Sequence, residues 1–199
     1  MAQLTWIAVL LVVGIALVGW GIGGYNAFVR LRNRFQNAFA QIDVQLKRRF
    51  ELIPNLVEAA RAYLTHERET LTAVISARAA AVSASERLAA NPGGSAEMKA
   101  LAAEDATLTG ALKRLLAVVE AYPNLKADQT IASVSEELTA TENKVSFARQ
   151  AYNDAVLTYN TKIQQFPDNI LASIFRFDAA SSFATESADE RKPVRVSFG

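Results

Sequence analysis

The sequence predicts an all-α protein in which an N-terminal transmembrane helix leads into an antiparallel bundle of long helices. Three observations predict this class. Residues 4–22 are almost wholly apolar, and about 20 such residues span a bilayer as a helix. Four later stretches repeat apolar residues at intervals of three and four, the period of one helix face. Glycine and proline number only 9 and 5 among 199 residues, which favours helix over sheet.

The first segment, residues 1–24, is expected to be an uncleaved signal-anchor. Trp6 and Trp20 lie near the two ends of its apolar run, where interfacial aromatic residues occur. A cleaved signal peptide is the alternative, and it would have a basic start and a shorter apolar core. No lysine or arginine precedes Arg30, so the retained anchor is favoured.

The charges that follow the span predict its orientation. Arg30, Arg32 and Arg34 come just after it, and basic residues beside a span stay on the cytoplasmic side. We therefore expect a single-pass protein whose N-terminus lies outside and whose main domain is cytoplasmic. The same three arginines are expected to contact anionic headgroups at the membrane surface.

Residues 25–165 are expected to form the bundle. The helical patterns cover about 25–49, 54–89, 95–121 and 128–165, and "NPGGS" (91–95) and "AYPNLKAD" (121–128) supply short connections. Short connections between amphipathic helices give antiparallel, coiled-coil-like packing.

The connection between the first two patterns is less clear, because the apolar period hardly falters across Pro54. Proline is tolerated in the first turn of a helix and harmful inside one. The favoured interpretation is a corner at residues 50–54, with Lys47, Arg48 and Arg49 in the last helical turn, where cations suit the dipole. The alternative is one kinked helix over 25–89.

Residues 166–178 form a short stretch of high apolar density, and residues 179–199 are expected to be a flexible tail. The short stretch is expected to cap the open end of the bundle, to lie in the headgroup layer or to pack on a neighbouring subunit. Its candidate membrane or subunit contacts are Phe166, Ile170, Leu171, Ile174, Phe175 and Phe177.

A Tyr-Asn pair recurs at residues 25–26, 152–153 and 159–160. The last two pairs are seven residues apart, so they lie on one helix face. Their polar tips need partners when buried. They are expected either to form hydrogen bonds between helices that set the register or to present a polar docking strip to a partner.

The composition excludes several kinds of chemistry. The absence of cysteine excludes disulfides and thiolate sites. The single histidine, His66, excludes the two-histidine zinc motif that "HERET" (66–70) begins to resemble. No phosphate-binding loop or nucleophile elbow occurs. We expect no catalytic residues, no metal and no cofactor, and the net charge of +1 predicts no nucleic acid partner.

Several blocks of the chain resemble the LemA family of bacterial membrane-anchored helical proteins. They are "YNAFVRLRN" (25–33), "QIDVQLKRR" (41–49), "LIPNLVE" (52–58) and "FPDNILASIFRF" (166–177). The resemblance implies a signal-anchor, a long-helix bundle and a bacterial inner-membrane location. It implies no defined enzymatic activity, and it suggests links to envelope stress and membrane proteases. The alanine-rich run at 79–90 departs from the family pattern.

These observations predict a non-enzymatic structural or interaction protein at the inner membrane. We expect the lipid bilayer as one partner and a homo-oligomer as the working form. The alternative is an adaptor that presents a helical face to a membrane protease or a signalling protein.

Overall fold

The computed structural model describes residues 1–64 and 67–183. This part of the chain contains six helices and no strand, so the predicted all-α class is confirmed. The helices are α1 (Ala2–Arg61), α2 (Arg68–Ala90), α3 (Ser95–Ala121), α4 (Pro123–Lys126), α5 (Gln129–Gln164) and α6 (Asp168–Ile174).

Helix α1 runs without a break through Pro54, so the predicted corner at residues 50–54 is wrong. Proline has no N–H, which leaves the carbonyl four residues earlier without its helical donor. That carbonyl belongs to Phe50, and Arg78 Nε donates a hydrogen bond to it over 2.7 Å. The ring of Pro54 faces solvent. A side chain from the next helix thus replaces the missing bond and lets α1 continue.

The chain reverses between Arg61 and Arg68, which also rules out one helix over 25–89. Leu64 is buried in this turn, and the hydroxyl of Tyr63 lies 3.1 Å from Asp128 Oδ2 at the start of α5. His66 lies outside the described residues. The reversal therefore occurs about ten residues beyond its predicted place.

Helix α2 packs antiparallel to α1. Arg78 contacts Phe50, and Ser85 Oγ donates to Asp43 Oδ1 over 3.3 Å. Later residues of α2 therefore contact earlier residues of α1. The predicted "NPGGS" turn then reverses the chain into α3. Gly93 has a φ of 95° in this turn, a conformation that glycine adopts without steric cost.

Helix α5 lies antiparallel along α1 and forms the most extensive helix pair. The rings of Phe35 and Phe39 meet Tyr152 at centroid distances of 6.3 and 6.2 Å. Asp128 caps the N-terminus of α5, because its Oδ1 accepts from the backbone N–H groups of Thr130 and Ile131 at 2.9 and 3.2 Å. The bond from Ile131 is the main cause that lowers the pKa of Asp128.

The apolar stripes expected from the sequence form the core. The fully buried side chains include Phe28, Ile42, Leu46, Leu101, Leu108, Leu115 and Tyr152. Ile75 departs from this pattern, since 45% of it is exposed. The core occupies the part of α1 beyond Gly24 together with α2, α3 and α5.

Candidate interaction site

The first part of α1 carries apolar side chains that are exposed in the described structure. Large apolar residues from Leu4 to Val18, and Ile22, are about half or more exposed, whereas Trp20 is partly buried against the core. Among the described residues, α1 is the helix that is long and apolar enough to cross a membrane. An apolar surface of this size in water marks a site of membrane or protein interaction.

Helix α6 packs on α1 at the point where this exposed stretch ends. A Cβ atom at Gly24 would lie 2.5 Å from Leu171 Cδ1, so any larger residue there would displace the Leu171 side chain. The ring of Tyr25 meets Phe175 edge-on at 5.0 Å and Phe177 at 5.6 Å. These contacts place α6 beside residues 24–25 of α1.

The structure divides the six predicted contact residues of the 166–178 stretch into two sets. Leu171 and Phe177 are buried within the chain. The other four, Phe166, Ile170, Ile174 and Phe175, are between 48% and 81% exposed. Helix α6 therefore closes the end of the core with one face and leaves an apolar face outside.

The three predicted headgroup arginines all lie on the exposed surface of α1, six to ten residues beyond Gly24, where α6 packs. The guanidinium carbon of Arg32 lies 5.5 Å from the ring centroid of Phe177, within the range of a cation–π contact. Arg30 and Arg34 are exposed. The arginine cluster and the exposed face of α6 thus surround the same end of the core.

The two Tyr-Asn pairs of α5 hold the chain's own C-terminal segment. We call Tyr152, Asn153, Tyr159 and Asn160 the Tyr–Asn strip, and residues 177–183 the C-terminal segment. The tyrosine hydroxyls donate to main-chain carbonyls: Tyr159 to Asp178 over 3.0 Å and Tyr152 to Ser181 over 2.8 Å.

Each asparagine of the strip makes a pair of bonds to one residue of the segment. Asn160 accepts from the N–H of Ala180 at 3.0 Å and donates to its carbonyl at 2.8 Å. Asn153 does the same with Phe183, at 2.8 and 3.2 Å. The strip thus occupies main-chain donors and acceptors as a neighbouring β-strand would.

The register of these bonds follows from helix and strand geometry. Seven helical residues rise about 10.5 Å, and three extended residues span about 10 Å. The seven-residue repeat on α5 therefore matches a three-residue repeat on the segment, from Ala180 to Phe183 and from Asp178 to Ser181.

Burial further favours the protonated form of the two tyrosines in the strip. It raises the pKa of Tyr152 to about 12 and is also the main cause that raises the pKa of Tyr159. Both hydroxyls therefore remain hydrogen-bond donors across the physiological pH range. The expected hydrogen bonds between helices are wrong for these two pairs, because their bonds among the described residues go to residues 178–183, which follow α6. Docking of a separate partner on the strip stays a prediction.

Aromatic side chains hold both ends of the C-terminal segment. Phe177 stacks on Phe28 at a centroid distance of 4.9 Å. Phe183 meets Tyr152 at 6.1 Å, and the guanidinium carbon of Arg149 lies 4.7 Å from its ring centroid. Of the predicted tail 179–199, residues 179–183 lie in these contacts, and the remainder lies outside the described residues.

A buried ion cluster lies next to the strip along α5. Arg49 Nη1 binds Asp105 Oδ1 at 2.9 Å, and Arg149 Nη2 binds Asp105 Oδ2 at 2.5 Å. Arg49 Nη2 also reaches Thr109 Oγ1 at 2.9 Å and Glu142 Oε2 at 2.8 Å. Asp105 is fully buried and Arg49 is 3% exposed. The cluster joins α1, α3 and α5.

The predicted position of Arg49 in a last helical turn is wrong, because α1 continues for twelve residues beyond it. A sequence signal for the buried ion cluster does exist, because two of its charged residues occupy positions within apolar stripes. Arg49 is seven residues from Ile42, and Asp105 lies between Leu101 and Leu108. A charge at such a position is buried, and a buried charge needs an opposite partner.

No arrangement for metal binding occurs in the described part of the chain, where no group of three or more His, Asp or Glu side chains is placed to hold an ion. Asp105, from the adjacent pair Glu104-Asp105, is engaged by two arginines. The contacts that the site shows are hydrogen bonds, ion pairs and aromatic contacts.

In the part of the chain that the structure describes, the fold is all-helical and includes one apolar helix of membrane-spanning length. The sequence profile of the LemA family matches residues 38–198. The chain belongs to the LemA family, as the sequence resemblance predicted.

Curated relatives include magnetosome proteins. Magnetosome protein MamQ 2 of Paramagnetospirillum magneticum is 29% identical over 184 residues, which cover 83% of this chain and 66% of that protein. MamQ of Magnetospirillum gryphiswaldense is 28% identical with the same coverage. Protein LemA of Metamycoplasma hominis is 26% identical over 76% of this chain and 64% of its own length. The chain thus spans slightly less than two thirds of these relatives, and none of their names designates an enzyme.

Proposed function

We propose that this chain is a non-enzymatic, membrane-anchored structural protein that self-assembles at the bacterial inner membrane and contributes to the response to envelope stress. Its long helices act as one LemA-like antiparallel four-helix bundle, formed by α1, α2, α3 and α5. The observation that carries the proposal is the continuity of α1, which joins the exposed apolar stretch to the core without a break.

A continuous helix has a mechanical consequence. At 1.5 Å per residue, the 60 residues of α1 extend for about 90 Å. With no loop between span and core, the bundle cannot swing freely relative to the membrane. Each copy then presents the same helical faces at the same height, which favours lateral assembly of neighbouring copies.

The exposed face of α6 supports contact with the bilayer. Phe166, Ile170, Ile174 and Phe175 lie beside the end of the apolar stretch of α1, at the depth of the headgroups if that stretch spans the membrane. Arg30 and Arg34 would each add about 1 kcal/mol of attraction to anionic lipid. The same arginines favour a cytoplasmic bundle and an external N-terminus.

The anchor is tested by expressing the full chain in bacteria and washing the membranes at alkaline pH. We expect the protein to stay in the membrane pellet and to keep residues 1–24, as shown by mass spectrometry of the intact chain. A soluble chain that lacks these residues would overturn the proposal. A topology reporter at the C-terminus then tests the cytoplasmic location.

The depth of α6 is tested with single cysteines, because the natural chain has none. An environment-sensitive fluorophore at Ile174→Cys should be quenched by a quencher attached to lipid headgroups. The control is Phe147→Cys, which is exposed on α5 and distant from α6 along that helix. Equal quenching at both positions would contradict membrane contact by α6.

Self-assembly is tested by the mass of the protein in lipid nanodiscs. A strict monomer over a range of protein-to-lipid ratios would overturn it. If the monomer instead binds another protein stoichiometrically in cross-linked membranes, the adaptor hypothesis replaces it.

A further inference from the structure

We propose that the Tyr–Asn strip is a binding site for extended peptide segments with an aromatic residue at each end, and that in an assembly it takes residues 177–183 of a second copy of this chain. This inference rests on the self-assembly proposed above. It adds the site through which neighbouring copies are joined.

The polar contacts of the strip depend on main-chain conformation alone. All six hydrogen bonds from its side chains go to main-chain N–H or carbonyl groups of residues 178, 180, 181 and 183. Peptide binding by main-chain hydrogen bonds gives affinity, and side-chain pockets give selectivity. Any extended segment can therefore satisfy the polar part of the site.

Selectivity comes from the two ends. Arg32 lies over the ring of Phe177, and Arg149 lies over the ring of Phe183. A cation over each ring favours aromatic side chains six residues apart. The middle of the segment, Asp178 to Ser182, consists of one aspartate and four small residues. The preferred ligand is therefore an extended segment with two aromatic ends and small side chains between them.

Between its two buried aromatic ends, the segment has few attachments other than the strip. Apart from the strip, its main-chain bonds run from Phe177 N to Ala172 O at 2.9 Å and from Ser181 N to Gly93 O at 3.4 Å. Asp178, Ala179 and Ser182 are exposed. The chain enters the segment through Arg176, which has a φ of 55°, a sparsely populated conformation for a residue other than glycine.

A second copy is the occupant that the geometry favours. Exchange of an identical element between copies replaces each contact by the same contact, so it costs little free energy. Copies anchored through a rigid α1 would hold their strips at one height. Confinement to the membrane plane also raises the effective concentration of neighbouring segments. The connection to the segment is formed by Phe175 and Arg176, directly after α6, and Phe175 is 49% exposed.

The experiment uses two full-length copies with different affinity tags in one bacterial membrane. The donor copy carries p-benzoylphenylalanine at Phe183, and the acceptor copy carries no photoreactive residue. After illumination we expect an adduct of two chains that bears both tags. Mass spectrometry should map the linkage to residues 149–160 of the acceptor.

Substitutions in only one copy distinguish exchange from random collision. Asn153→Ala with Asn160→Ala in the acceptor should lower the yield of the two-chain adduct about tenfold or more, because four hydrogen bonds are lost. The same substitutions in the donor should preserve or raise that yield, since the donor's own strip then competes less. Circular dichroism checks that both variants stay helical, and the milder Tyr152→Phe serves if either does not.

A photoreactive residue at Phe147 supplies the matched control, because that side chain is 73% exposed on α5. It should give no adduct with residues 149–160 of a neighbour. Three outcomes overturn the inference: adducts within one chain only, adducts insensitive to the acceptor substitutions, or a monomeric chain. If nanodiscs contain an oligomer but adducts form only within one chain, exchange fails and self-assembly stands. A monomer removes both proposals.

Discussion

The ion cluster and the Tyr–Asn strip both lie along α5, and they keep polar atoms away from water by opposite means. The cluster uses full charges, since Asp105 of α3 binds Arg49 of α1 and Arg149 of α5. The strip uses neutral tyrosine and asparagine side chains bound to main-chain atoms.

The difference shows which contacts of the molecule can open. Separating buried charges leaves each without compensation, which is strongly unfavourable. A neutral hydrogen bond to a partly exposed main chain can be exchanged for one to water at a net cost of about 1 kcal/mol. The cluster therefore holds three long helices in a permanent register, whereas the strip holds a segment that can be released or replaced.

The largest effect is expected from Asp105→Ala. This change leaves Arg49 and Arg149 without the carboxylate that both bind, and breaking a buried pair costs about 3–5 kcal/mol. The free energy of unfolding, measured with denaturant in mild detergent, should fall by this amount. The control is Glu120→Ala, which breaks an exposed ion pair with Lys126 and should cost about 1 kcal/mol or less. Equal losses would contradict the assigned role of the cluster.

A smaller and local effect is expected from Asn153→Ala combined with Asn160→Ala. The N–H groups of Ala180 and Phe183 lose their acceptors, so opening of the C-terminal segment should become easier by about 1–3 kcal/mol. Hydrogen exchange should accelerate at those two amides and stay unchanged in the middle of α1. Faster exchange throughout α1 would show that the strip is part of the permanent core.

Alkaline pH should weaken the strip through Tyr152. Its pKa is raised on folding to about 12, above the value of about 10 in unfolded chains. The neutral hydroxyl's contribution is therefore complete below pH of about 10 and is lost as the pH rises through about 12. Tyr152→Phe should cost about 1 kcal/mol at neutral pH and remove this part of the alkaline decline. The measurement is release of the C-terminal segment as a function of pH. The same alkaline dependence in the unsubstituted chain and in Tyr152→Phe would contradict the role of Tyr152.

The smallest effect is expected from Phe183→Leu. Leucine keeps an apolar contact but loses the ring under the guanidinium of Arg149, a contact worth about 0.5–1 kcal/mol. Protection of the Phe183-position amide should fall slightly, while the denaturant midpoint of the whole chain stays the same. A large fall in that midpoint would show that the cluster and the strip are one cooperative unit rather than two.

Much of the fold follows from local signals in the sequence. The stripes that contain Ile42, Leu46, Leu108 and Leu115 predict the helices and their inner faces, because a period near 3.6 places those residues on one side. The turn at Gly93 follows from its "NPGGS" setting. The apolar density of residues 166–177 likewise marks the region of α6 in the sequence.

The candidate site was only partly predictable. The repeat of Tyr-Asn at an interval of seven indicated a polar strip on one helix face. The sequence left open whether this strip bonds to another helix or docks a partner. Its occupant could not be predicted, because residues 177–183 have no periodicity that identifies an ordered segment. The tail composition of residues 179–183 instead resembles a solvated region, and its order comes from contacts with residues about 20 to 30 positions away.

By itself, the sequence determined which stretches are helical, which faces are apolar and where the membrane-length segment lies, since these depend on neighbours within a few positions. Only the tertiary structure decided that α1 passes Pro54, because the donor that satisfies Phe50 is Arg78 from another helix. It likewise decided that Arg49 and Asp105 meet and that the C-terminal segment lies on α5. Each of these depends on a polar atom whose partner is distant in the chain, and a buried polar atom takes whichever partner folding brings to it.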